Sequence, residues 1–272
     1  MYAFRAADFF PAIICIAYYA VVLFLAEISR KLVDVTLKKK NGLLYVFLIE
    51  LIGTAQQATC VYENGVMIKN YGVWGFFLTV ASLLLAIGGI INRGAFISPL
   101  APIEMYTQGK INTEKLMVLL LAQTIGGLSA FRFANTLWYY SLNYSNDHMA
   151  FYERLPCAIV YKVSFLYAFL FEIFATFLFR CILHRLPTSY KNYMAPIVVA
   201  GFLSIALAFI GVPGLNPVTA SSRLQGCPGL DLQWFIMTYW CCPVVGWLLA
   251  TYFDRKPKQH PSSPTKAKKK KN

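Results

Sequence analysis

The chain has 272 residues, 58% of them hydrophobic, and a net charge of +13, where a soluble domain averages about 45–50% apolar. The excess lies in runs near the roughly 20 residues that a helix needs to cross a bilayer, with charges between the runs, which excludes a soluble enzyme built on a buried sheet. The basic residues flank those runs, so they report topology rather than a nucleic-acid surface. They concentrate at Arg30, Lys31, Lys38, Lys39 and Lys40 and in the tail from Arg255 to Lys271.

In chain order the apolar segments cover residues 9–28, 43–62, 72–91, 116–142, 160–183, 195–210 and 232–253. The first contains Glu27 and lacks a small-residue cleavage site, so it reads as a span and not as a signal peptide. The chain then divides into an N-terminal segment, 1–42, a core, 43–254, and a Lys-rich tail, 255–272. Basic connections (30–40, 93–115, 180–191 and the tail) alternate with poorly basic ones (63–70, 143–159 and 212–231). The positive-inside rule therefore places the C-terminus in the cytosol and the N-terminus on the other side. The sequon Asn143-Tyr144-Ser145 falls on that far side, where glycosylation is expected. The seven cysteines show no metal-site spacing, and no nucleophile–base set is visible. No metal, cofactor or enzymatic activity is expected.

The stretch "FLIELIGT" (47–54) resembles "FLFEIFAT" (169–176): each sets a Glu, Glu50 or Glu172, four residues before a Thr. About one span later each is followed by a proline break, "GAFISPLAP" (94–102) and "GLNPVTA" (214–220). The two Glu-bearing spans enter the membrane from opposite sides, which is the pattern of inverted repeats with a site at their interface. A carboxylate at membrane depth needs partners. It either holds backbone N–H groups of an irregular loop or relays protons, and the first reading is preferred because no His or Lys is placed to complete a relay. Irregular backbone at that depth must be buried in protein or line a cavity. Pro99 and Pro217 suit the first turn of a short helix, and Ser98 and Asn216 suit the N-cap before it. Two such half-helices would meet N-terminus to N-terminus at the midplane. Their positive dipole ends would repel cations there while offering donors to a neutral permeant.

At these residues the chain resembles the aquaporin (major intrinsic protein) family, and within it the superaquaporin or unorthodox branch. The resemblance covers 47–253. It rests on the paired Glu50 and Glu172 helices, on "AQTIGG" (122–127), on "YWCCPVVG" (239–246), on Asn216-Pro217-Val218 as the second Asn-Pro-Ala box, and on Cys227, nine residues past Val218. It implies an all-α polytopic membrane protein with a six-span inverted repeat, two re-entrant half-helices and one extra N-terminal helix. It implies passive conduction of water or small neutral solutes such as hydrogen peroxide and glycerol, through each protomer of a homotetramer in an intracellular bilayer. By the same resemblance Ser98 and Asn216 cap the midplane and Asn216 also donates to the permeant. Thr219 and Pro213 line the outer constriction, with Phe209 as a further lining residue, and Glu50 and Glu172 hold the loops.

The departures carry information too. The first box reads Ser98-Pro99-Leu100; serine lacks the two amide donors of asparagine, and Leu100 is bulkier than alanine. Thr219 stands where relatives usually place an Arg. Arg223, one turn further on, either supplies that charge or sits on the rim. Cys227 reads either as packing or oligomer support, the preferred reading, or as a disulfide or redox-sensitive thiol, with Cys157 or Cys60 as possible partners. Lys269 and Lys270 resemble a dilysine signal for retrieval to the endoplasmic reticulum. The rival function is a non-conducting, membrane-organising protein that keeps this fold with a closed pore.

Overall fold

The computed structural model describes residues 9–37 and 42–254. Lys38 to Lys40 and the tail with Lys269 and Lys270 lie outside the described residues. Ten α-helices follow in order: α1 (Phe10–Thr36), α2 (Leu43–Ala86), α3 (Leu100–Thr107), α4 (Thr113–Ser141), α5 (Asn146–Glu153), α6 (Phe165–Arg185), α7 (Thr188–Ile205), α8 (Pro217–Leu224), α9 (Leu232–Ile236) and α10 (Cys242–Phe253). Among the described residues there is no strand. π-helical turns extend α2 (Ile87–Ile91) and α7 (Ala206–Ile210) and join α9 to α10 (Met237–Cys241). Among the described residues six helices are long and apolar enough to cross a membrane.

The second and third predicted spans are one helix, α2, bent at Gly72 (φ 63°, ψ −152°). Only glycine reaches that region without strain. The two limbs run back alongside each other. Leu83 and Ile87 of the second share a buried cluster with Ala58, Cys60, Tyr62 and Val66 of the first. A Cβ on Gly53 would stand 3.0 Å from the Ala95 Cβ. The sequence predicts a loop at 63–70, but the first limb stays helical to the bend. The polar residues that seemed to end it are buried and paired instead. Glu63, 0% exposed, accepts from Trp138 Nε1 at 2.9 Å and pairs with His148 Nε2 at 2.9 Å. Asn64 Oδ1 accepts from the Tyr19 hydroxyl at 2.8 Å.

The extra helix α1 packs along the first limb of α2. Tyr18 donates to Thr59 O at 3.2 Å, buried Arg30 donates to Gln56 Oε1, and the Tyr45 hydroxyl donates to Asp34 Oδ1 at 3.0 Å. Arg93 bridges Glu27 and Asp34. The opposite side of α1 leaves Ile16, Phe24 and Leu32 exposed.

The two halves repeat in their helix crossings. A Cβ on Gly126 of α4 would meet Leu51 O at 2.8 Å and Thr54 Cβ at 3.0 Å of the first limb. One on Gly246 of α10 would meet Ile173 O at 2.1 Å and Thr176 Oγ1 at 2.3 Å of α6. The same Glu-to-Thr stretch thus crosses a glycine in each half, and the missing side chain is what lets the helices approach. Each re-entrant loop is entered through a π-helical turn, at Ile87–Ile91 and at Ala206–Ile210. Such turns reset the register of a helix and gather at functional places.

Candidate functional site

Two irregular loops, 92–99 and 211–216, interrupt the bundle, and a carboxylate holds each. Glu50, 2% exposed, accepts from Phe96 N at 2.9 Å, Ile97 N at 2.7 Å and Gln123 Nε2 at 2.8 Å. Glu172, also 2% exposed, accepts from Leu215 N at 2.8 Å. Ile97 (φ 53°) and Leu215 (φ 64°) both adopt the left-handed region without being glycine. That conformation costs on the order of 1 kcal/mol or more and persists only where the surroundings enforce it. Here a buried carboxylate fixes the N–H of each strained residue.

The loops touch. Asn216 Nδ2 donates to Ile97 O at 2.9 Å across 119 positions of sequence. The same side chain caps α8, its Oδ1 accepting from Val218 N at 3.1 Å, while Asn216 O accepts from Ala220 N at 2.9 Å. One amide hydrogen is therefore committed to the opposite loop, and a primary amide carries a second.

Ser98 behaves differently from expectation. Its Oγ is buried with no hydrogen-bond partner, and α3 begins at Leu100 with Pro99 in the cap position and no side-chain cap. An N-cap residue gives its carbonyl to the N–H four residues on, but that residue for Ser98 is Pro102, which has none, and the Ser98 carbonyl accepts from Gln123 Nε2 at 3.1 Å instead. Pro99 O takes over, accepting from Ile103 N at 3.0 Å. Gln123 Nε2 ties the Glu50 carboxylate to the Ser98 carbonyl and so fixes the loop, while the first turn of α3 has no side-chain cap.

Leu100, Pro217 and Val218 are buried, and Pro213 and Thr219 are half-buried. Phe209 is 67% exposed, on the π-helical turn whose Leu207 and Ala208 carbonyls accept from Lys162 Nζ at 3.0 Å each. At the outer end of α3, Glu104 accepts from Arg180 Nη2 and from Trp247 Nε1, both at 2.6 Å. This buried clamp fastens the half-helix to α6 and α10, and the sequence shows it only as charges beside spans.

A segment running from α5 to α6 crosses the end of the bundle near α8. Cys157 in it is disulfide-bonded to Cys227, which replaces the expectation that Cys227 serves packing alone. Ile159 N donates to Pro228 O at 2.9 Å, and Lys162 N donates to Ile210 O at 2.8 Å. Arg223 Nη2 donates to Pro156 O at 2.7 Å. Cys60, the other candidate partner, is a buried free thiol. Asn143, before α5, is exposed, and Ser145 of its sequon accepts from His148 N at 3.2 Å as the cap of that helix. Among the described residues no group of His, Cys, Asp and Glu is arranged to hold a metal ion.

No protein-family model matches the chain. It is 38% identical over 275 residues to "Putative aquaporin-10" of Caenorhabditis elegans, covering 99% of this chain and 97% of that protein. It is 25% identical over 210 residues to "Aquaporin-11" of Homo sapiens, covering 75% and 76%. It is 28% identical over 166 residues to "Glycerol uptake facilitator protein" of Buchnera aphidicola subsp. Acyrthosiphon pisum (strain APS), covering 53% and 61%.

Proposed function

The chain belongs to the aquaporin family, on its unorthodox branch, and from that premise we propose a passive channel for water and small neutral solutes whose filter departs from the usual pattern. The observation that carries this reading is the Asn216–Ile97 hydrogen bond, which brings the two re-entrant loops together inside the bundle. The path then follows α3 and α8 outward from Ser98 and Asn216, with Thr219 and Pro213 at the outer constriction and Phe209 as a candidate lining residue. Glu50 and Glu172 are the posts that keep both loops in place. The name of the glycerol facilitator among the relatives supports solutes larger than water, and hydrogen peroxide fits the same class of small neutral permeant.

In this reading the end of the bundle carrying α5 faces the lumen, and exposed Asn143 is available for glycosylation there. The channel domain is 43–254, with 1–42 and 255–272 as appendages. The protein is a homotetramer of intracellular membranes, and Lys269 and Lys270 direct its retrieval to the endoplasmic reticulum. The experiment is solute flux in proteoliposomes. Wild-type protein raises water or peroxide flux above that of empty vesicles, and Asn216→Trp, which fills the meeting point of the loops, abolishes the increase. Wild-type flux equal to empty vesicles for water, peroxide and glycerol rejects the channel in favour of the non-conducting scaffold.

A further inference from the structure

The half-helix α8 does not fill the space between the two spans that flank it. α4 approaches it at Gly127, where a Cβ would stand 2.9 Å from Val218 Cγ1, and Ser222 Oγ donates to Gly127 O at 2.7 Å. The last span, Leu232–Phe253, reaches it through Trp240, whose Nε1 donates to Ser221 Oγ at 2.8 Å. Trp240 sits in the π-helical turn Met237–Cys241. Among the described residues this is the one such turn that leads into neither re-entrant loop, and such turns gather at functional places. Between the two contacts lies a crevice of about 390 Å³, with Gly127 and Val218 on one side and Phe235 and Trp240 on the other. That volume is in the range of small-molecule sites. Leu128, 64% exposed, and Ile236, 45% exposed, stand at its mouth, on helices long and apolar enough to cross a membrane. The crevice therefore opens sideways into the bilayer, and Asn216 and Thr219 do not line it. The first half-helix has no such space at its contact with the last span, because Glu104 of α3 closes it with Arg180 and Trp247.

The lining selects the occupant. From Val218 to Gln225, α8 rises about 10 Å toward the end of the bundle that carries the Cys157–Cys227 disulfide. Its deep end offers the crevice an apolar side chain, Val218, and its outer end offers Ser221, Ser222 and Gln225. The facing wall is two aromatic rings and Ile236. No charged side chain lines the space, and Arg223, beside Ser222 in sequence, is turned to the Tyr62 ring and to Pro156 O. A phosphate headgroup would find no cation here. Ser221 Oγ accepts from Trp240, and its own hydrogen meets no acceptor among the described residues. Ser222 Oγ commits its hydrogen to Gly127 O and keeps lone pairs free to accept. A donor and an acceptor on adjacent residues match a hydroxyl, which is both, better than an ester carbonyl, which only accepts. A rigid hydrocarbon body lies flat against the rings of Phe235 and Trp240, and it costs less entropy to immobilise than flexible acyl chains.

We propose that this crevice binds a sterol from the surrounding bilayer, its hydroxyl exchanging hydrogen bonds with Ser221 and Ser222 and its rings seated against Phe235 and Trp240. The site is on the flank of α8 that faces lipid, apart from the proposed path, and it does not depend on the channel reading.

The test reconstitutes the full chain in phosphatidylcholine vesicles with a photoreactive diazirine analogue of cholesterol and maps the labelled peptides by mass spectrometry. Label is expected on α8 and on the first turns of the last span. Excess cholesterol is expected to displace it, whereas excess cholestenone, a ketone that only accepts, and excess dioleoylglycerol, a flexible alcohol, are not. Ser221→Ala should weaken labelling about fivefold, the worth of one neutral hydrogen bond. Ile236→Trp, which narrows the mouth, should abolish it, and Leu170→Trp, on an exposed face of α6, should leave it unchanged. Label spread evenly over the exposed faces of the spans overturns the site. Equal displacement by cholestenone or by dioleoylglycerol overturns the sterol as occupant, and so does a disulfide between two copies of Ile236→Cys, which would put a second chain over the mouth. The mapping and the competition use the wild-type chain, so they decide the matter even if a variant does not fold. None of these readings uses solute flux, so their failure is distinct from failure of the channel.

Discussion

At the scale of single residues, the loops are built on atoms that have no room to move. Gly214 has Glu172 Oε1 at 2.4 Å and Tyr239 Cδ1 at 2.8 Å from where a Cβ would stand. The Glu172 carboxylate cannot yield, because it holds Leu215 N. Gly214→Ala should therefore overpack the site, at about 1–3 kcal/mol. It should lower the thermal unfolding temperature in detergent, whereas Gly201→Ala, on a helix with open space at that position, should not. Equal unfolding temperatures for the two variants would refute the argument. Glu50, Glu172 and Asn216 are legible in the sequence because polar groups in apolar runs stand out and recur at matched spacing. Ser98 is legible as a position and misread as a cap. Four residues on from Ser98 stands Pro102, which has no N–H to give the Ser98 carbonyl, so the first helical bond of α3 falls to Pro99 O and Ile103 N and the Ser98 carbonyl is free to accept from Gln123. The Cys157–Cys227 pair is legible only as one alternative beside Cys60 and beside packing, because distance across a fold is not written in spacing.

At the scale of elements, α5 shows how buried polarity reshapes a segment that looks like a loop. Asp147, in its first turn, accepts from Lys69 Nζ at 2.5 Å and from Asn70 Nδ2 at 2.8 Å. Burial alone pushes the Asp147 carboxyl upward, but the Lys69 and Asn70 hydrogen bonds and the Lys69 charge outweigh it and hold the group below the usual carboxylate range. A carboxyl lowered on folding stabilises the folded state above its unfolded pKa of about 3.9, and that contribution disappears as pH falls through the lower, folded value. The contribution of Asp147 to the docking of α5 on α2 should thus be constant from pH 7 to about 5 and be lost below about 4. Hydrogen exchange of the α5 amides against pH measures it. Asp147→Asn should abolish the part of the acid dependence that is steepest below pH 4, and an unchanged profile in that variant would remove Asp147 as its source. The sequence places 63–70 and 143–159 in loops because their polar residues break the apolar pattern. The polar residues instead satisfy one another, Glu63 with His148 and Trp138, and helices continue through them.

At the scale of the whole molecule, the question is how often the chain crosses the bilayer. The contacts of α1 on the first limb of α2 run from Asp34–Tyr45 at one end to Tyr19–Asn64 at the other. At about 1.5 Å per residue, the stretch from Tyr45 to Asn64 is roughly 28 Å long, close to the roughly 30 Å of a bilayer's hydrocarbon core. A helix lying flat at the interface would touch α2 at one level only. We infer that α1 crosses as well, which with the two limbs of α2 and the four remaining long helices would give an odd number of crossings. An odd count predicts the two ends of the chain on opposite sides, with Asn143 on the side of the N-terminus. A glycosylation sequon added at the N-terminus should be modified in microsomes, one added after Asn272 should not, and Asn143→Gln should remove one glycan from the otherwise unaltered protein. Modification at Asn143 without modification at the N-terminal sequon would place α1 on the membrane surface and leave an even number of crossings.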